Sequence, residues 1–273
     1  MARLGALLAT LALAAIPLAG CGSGDAAKVA NLGQPVAEAA QATTAAGSAT
    51  MTLHGSVQVG GLRAPIDGSG AIDFSRPFLR MRIHTSAAGV GDVTVDEIVD
   101  RTVAYVGMDQ LAQLPGGKRW LKVDLGQLAK KQGINPSQLQ QLSGGVDPSQ
   151  LVGYLAQTGD VRRVGAATIG GVRTTHYSAL IDLGKLAAQG GKTLPGVQQL
   201  IDQAGLKQLP VDVWLDAQHR VRRERVAFSA QPAGAPAGGI STELTIDLGG
   251  YGTKVDTSTP PDDQVVDASK LLG

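Results

Sequence analysis

A chain of 273 residues with a single cysteine forms no internal disulfide, so its stability rests on a core rather than on cross-links. Aromatic residues are scarce, at 3%. That is too few for a surface on which nucleobases stack. Charge of one sign is also lacking: 24 Lys and Arg stand against 23 Asp and Glu. Residues 1–20 hold one Arg and no acid, which leaves 23 of each sign beyond them. A nucleic-acid binder normally carries a basic surplus, so no nucleic-acid partner is expected. The apolar run near the N-terminus falls short of the ~20 residues that a spanning helix needs. Charged residues make up only 17%, too few for a disordered polyelectrolyte, and 43% hydrophobic residues supply a sizeable core.

What is abundant is glycine, 37 of 273 residues, about twice the usual ~7%. Such density favours tight turns and many short strands. Period-2 alternation accordingly dominates the chain. From Ala49 to Val59 the odd positions are apolar or small and the even ones polar. Ile66 to Phe74 and Leu79 to Thr85 repeat the pattern, the second with Arg80, Arg82 and His84 on the polar side. Gly60-Gly61 and Gly170-Gly171 read as two-residue hairpin turns. Val93–Val99, Thr102–Gly107, Trp120–Leu125, Val161–Val164, Ala166–Ile169, Val172–Leu180, Val211–Leu215, Arg220–Phe228 and Leu244–Leu248 continue the strands. Helices are expected at Pro35–Ala46, after Asn135-Pro136, over Pro148–Gln157 and over Pro195–Ala204. Thr253 to Asp267 reads as an extended tail. Runs of strands with helices set between them indicate an α+β class.

The N-terminus reads as an address. Arg3, the uncharged run Leu4–Ile16 and Pro17 match a secretory signal. Leu18-Ala19-Gly20-Cys21 has the form of a bacterial lipobox, in which the cysteine thiol receives a diacylglyceryl group and the signal is cut just before it. Residues 1–20 are therefore expected to be a lipoprotein signal peptide. Cys21 would be the lipid-attachment site, 21–34 a flexible tether and 35–273 a single domain. The protein would sit, exported, on the outer face of the cell membrane.

Catalytic and metal-binding patterns are not found. His54, His84, His176 and His219 have no ligand spacing among themselves and no cysteine partner. Gly191-Lys192-Thr193 lacks the glycine a phosphate loop requires. Asp96 and Glu97 are adjacent, and neighbours in a strand point to opposite faces, so they make no shared acid–base site. Arg220 to Arg225 holds four arginines in six residues. It reads as a solvated strand face or as a contact for anionic headgroups or a partner. No enzyme activity, cofactor or metal is expected.

The lipobox, Asp100–Met108, Lys118–Leu125, Val211–Val226 and Asp247–Val266 together resemble the LppX/LprG-type lipoproteins of mycobacteria and related actinobacteria. The resemblance implies a LolA/LolB-like fold: a strongly curved antiparallel sheet, or half-barrel, with helices against its concave side. It also implies an apolar cavity that binds or carries a lipid or glycolipid. A regulatory or protein-interaction lipoprotein of the same fold, with an envelope protein as partner, is the alternative. Fold alone does not decide between them. Leu53, Val57, Leu79, Met81 and Ile83 alternate with polar residues and are the candidate cavity-lining positions.

Overall fold

A computed structural model describes residues 34–87, 91–108, 114–124, 126–127, 155, 160–185, 201, 205–231 and 239–268. Among the described residues helix α1 (Gln34–Thr44) precedes the strands β1 (Ser48–Val59), β2 (Leu62–Asp73), β3 (Phe78–Ala87), β4 (Gly91–Asp100), β5 (Val103–Met108) and β6 (Trp120–Asp124). There follow β7 (Val161–Ile169), β8 (Val172–Asp182), β9 (Gln208–Leu215), β10 (Val221–Ala230), β11 (Ile240–Gly249) and β12 (Val265–Asp267). These strands form one curved, unclosed sheet in the order β12-β6-β5-β4-β3-β2-β1-β11-β10-β9-β8-β7. Two meanders, β1 to β6 and β7 to β11, meet where β1 pairs with β11. All pairs are antiparallel except β12 with β6. The lipobox, Cys21 and the helix after Asn135-Pro136 lie outside the described residues. So do the helices over 148–157 and 195–204, apart from Leu155 and Ile201. Both are helical; Leu155 is fully buried and Ile201 packs against the core.

The alternation read from the sequence is the alternation of faces. Ala49, Met51, Leu53 and Val57 are buried, while Thr50, Thr52 and His54 between them are exposed. Burying each such aliphatic side chain contributes roughly 1.5–3 kcal/mol. Gly60 and Gly61 both have positive φ, the backbone that a two-residue hairpin of right-handed twist requires. Val161–Val164 and Ala166–Ile169, expected as separate strands, are one strand. A bulge between Arg163 and Gly165 shifts its register.

Curvature comes from two glycines within strands. A methyl group at Gly55 would strike the carbonyl oxygen of Glu243 on β11, and one at Gly70 would strike that of Arg80 on β3. Neighbouring backbones therefore press closest at positions with no side chain, which is how a sheet bends sharply. Met81 lays its thioether across the gap left by Gly68 and Gly70.

The tail is a strap. Beyond β11 the chain crosses the polar face toward the β6 edge. The Ser48 hydroxyl donates to the Thr253 carbonyl, and Arg76 donates to Thr257 at 3.1 Å. Arg80 donates to the carbonyls of Asp256 and Ser258. Phe78 and Ile98, though they belong to the polar face, are each only 2% exposed there, in the same region as buried Pro260 of the strap. The strap then runs alongside β6 in the same direction and adds β12 to the edge. That makes it a parallel strand where an antiparallel sheet is expected.

α1 packs on β9 and β10, with Val36, Ala39 and Thr43 fully buried. The turn after β9, against which the helix is tied, is built on Asp216. That carboxylate accepts from the backbone N–H groups of Gln218 and Arg220 and from the guanidinium groups of Arg220 and Arg222. Burial pushes the Asp216 carboxyl up, but these donors outweigh it and hold the group below its ordinary value. Both guanidinium groups also lie over the Tyr251 ring, at 4.8 and 4.9 Å. The Thr43 hydroxyl accepts from the Val221 N–H and so ties the helix to the same turn.

Two expectations follow. Gly70→Ala or Gly55→Ala is expected to destabilise the protein by about 3 kcal/mol, the upper end for overpacking. Gly165→Ala, with open space around its Cα, should change stability by less than about 0.5 kcal/mol in the same urea titrations. Asp216→Ala is expected to lose roughly 3 kcal/mol at neutral pH, because it strands two arginines. Asp216 stabilises the fold above its unfolded pKa, and that contribution fades as pH falls. The gap between variant and wild type should therefore narrow in acid.

Candidate functional site

The apolar face of the curved sheet is the candidate site. Leu248 stands opposite Met51, Met51 opposite Gly70, and Gly70 opposite Met81. A second row runs through Val213, Glu224, Ile246, Leu53, Gly68 and Ile83. Leu53, Val57, Leu79, Met81 and Ile83 all lie on this face. The first four are 3–9% exposed, and Ile83 is half-buried against the core. Arg80 and Arg82 point the other way, Arg80 to the strap and Arg82 to Asp96 at 2.7 Å. Small residues, among them Gly55, Gly68 and Gly70, occupy the middle of the face. That leaves few large side chains at the middle of the face.

Two carboxylates interrupt this surface. Glu224 is buried between Val213 and Ile246. Glu97 is half-buried on β4, opposite Met81 on one side and Val106 on the other, between buried Val95 and Val99 of its own strand. Burial raises the Glu97 carboxyl above its ordinary value. Its sequence neighbour Asp96 is on the opposite face, as strand geometry requires, paired with Arg82. What sequence reading missed is the character of the Glu97 site: alternation gives the face, but only the neighbouring strands show that the surroundings are apolar.

The polar face is a ladder of opposite charges. Arg223 grips Asp247 with two bonds of 2.6 Å, and Arg225 reaches Glu243 at 2.8 Å and Asp212 at 3.6 Å. The arginine run is thus divided: Arg220 and Arg222 hold Asp216, and Arg223 and Arg225 hold acids of neighbouring strands. It is not an open basic patch. Every histidine is engaged away from the apolar face. His54 pairs with Asp67, His84 with Thr94, His176 with Asp212, and His219 in the turn with Glu38. His176 also stacks on Trp214, with ring centroids 4.1 Å apart. Among the described residues no group of three metal-ligating side chains occurs. An open recess of about 450 Å³ lies where the strap leaves the sheet. It is lined by Ser48, Asp73, Arg76 and Lys254, and is polar rather than part of the apolar face.

No family model matches the chain. It is 28% identical over 190 residues to an uncharacterized 31.2 kDa protein of Streptomyces griseus from the rplA–rplJ intergenic region. That stretch is 68% of this chain but 60% of the relative, so the chain spans less than two thirds of that protein's length. Solved structures similar to the chain include LprF from Mycobacterium bovis, at 15% identity and a TM-score of 0.48, covering 84% of this chain and 96% of that one. They also include the Mycobacterium tuberculosis lipoprotein LppX, at 14% identity and a TM-score of 0.45, covering 83% and 97%.

The raised carboxyl gives a pH-dependent expectation. Ionising Glu97 opposes folding, so its site is at full stability below the unfolded pKa of about 4.3. Stability declines as pH rises through the higher folded value. Glu97→Gln should therefore raise the urea midpoint at pH 7–8 and leave it near wild type at pH 4.

Proposed function

We propose that this protein is an exported lipoprotein, anchored to the cell membrane through acylated Cys21, that holds the acyl chain of a lipid or glycolipid against the apolar face of its curved sheet. One observation carries the reading: the face is apolar and rich in small residues at its middle, on a curved sheet that does not close. A long acyl chain fills such a concavity without any ionic grip, since each CH₂ removed from water contributes roughly 0.8 kcal/mol. In this reading the helices expected over 148–157 and 195–204 cover the concave side. Buried Leu155 and the core contact of Ile201 support that placement. Binding, rather than catalysis, is the role that suits the face, because the histidines are committed to partners elsewhere. The apolar stretch ahead of Cys21 and the small, polar residues after it support export and tethering.

The reading is tested in two steps. Cys21→Ala should abolish acylation and release the protein from the membrane fraction; unchanged sedimentation with membranes would refute the anchor. That released protein, extracted from its native host, should carry stoichiometric lipid by mass spectrometry. Val57→Trp should reduce the bound lipid severalfold while circular dichroism stays unchanged, because the indole occupies the volume of the chain. A folded protein with no bound lipid and no uptake of a fluorescent lipid would favour the regulatory alternative instead.

A further inference from the structure

One residue on the apolar face breaks the pattern of its own strand. On this face β4 presents Val93, Val95, Glu97 and Val99, and the three valines are 4–6% exposed. Across the strands Glu97 meets Met81 and Val106, and beyond Val106 lies Leu121. Among the described residues Glu97 makes no hydrogen bond and no ion pair, and burial raises its carboxyl above the ordinary value. Six other acids contrast with it: Asp96, Asp100, Asp212, Asp216, Glu243 and Asp247 have arginine partners. A half-buried carboxyl among aliphatic side chains, with no partner among the described residues, opposes folding, and a leucine here would fit its neighbours better. Among the described residues nothing repays that cost. Positions that break a local rule without structural compensation belong to function.

We propose that Glu97 is the polar anchor of the apolar face, its carboxylate accepting a hydrogen bond from a hydroxyl or ammonium group of the bound amphiphile. This deepens the lipid-binding reading and rests on it. The face then discriminates among long-chain ligands by whether they carry a donor that reaches β4. A ligand with acceptors only, such as an ester, leaves the carboxylate unpaired and gains nothing there. A buried hydrogen bond to a charged group differs enough from an unmade one to give about tenfold in affinity.

The test uses the full-length protein carrying Cys21→Ala, which removes the anchor alone, and three probes of equal chain length: 1-dodecanol, dodecylamine and methyl dodecanoate. Each is titrated to displace diphenylhexatriene. The anchor requires that the alcohol and the amine bind about tenfold more tightly than the ester. Glu97→Leu should bring all three to parity without weakening the ester, and should fold at least as stably. Glu97→Gln keeps an acceptor oxygen and should retain the preference for the alcohol while losing most of that for the amine. Equal binding of the three probes by the Glu97 protein, or a preference that survives Glu97→Leu, overturns the anchor and leaves lipid binding intact. A protein that takes up neither diphenylhexatriene nor any of the three overturns both.

Discussion

Backbone pressed against backbone at Gly55 and Gly70 is the contact on which the architecture depends. A twelve-stranded sheet, antiparallel but for its β12–β6 pair, with one apolar face cannot stay flat in water, because that face has to be covered or folded in. Bending brings the face toward itself, and bending requires neighbouring strands to approach where no Cβ intervenes. Both glycines lie on the central strands β1 and β2, beside the junction of the two meanders. Curvature is thus concentrated where it shapes the apolar face most. The same two positions keep that face shallow in side chains, so shape and lining have a single origin.

The outer face is governed by a different economy of charge. Its acids and bases alternate across strands: Asp96 with Arg82, Asp247 with Arg223, and Glu243 with Arg225. Each exposed pair contributes at most about 1 kcal/mol. Their larger effect is on register, since a slip of one residue would carry arginines onto the apolar face. The exception is Asp216, which is buried and gathers two arginines, Tyr251 and α1 into one knot at the turn between β9 and β10. Set against this economy, Glu97 stands apart as a half-buried carboxyl on the wrong face for pairing.

Side-chain direction in a strand has a period of two, and for that reason the sequence by itself determined which residues share the apolar face, where the two-glycine hairpins turn, and that Asp96 and Glu97 part company. The helical stretch before β1 was legible too, from its alanine-rich composition and its proline at the first turn. Partners distant in the chain were decided only by the tertiary structure. The tail carries no periodicity, so its route across β3 to a parallel place beside β6 depends on Arg76 and Arg80, some 180 residues away. Gly68 and Gly70 look alike in sequence, yet at Gly70 a side chain would meet backbone head-on, because the bend lies between strands rather than within one. The arginine run reads as one patch and is divided between a turn and two neighbouring strands. Glu97 shows the same limit: alternation assigns its face, but whether a carboxyl there finds a cation or a wall of aliphatic side chains depends on β3 and β5, which the local sequence does not contain.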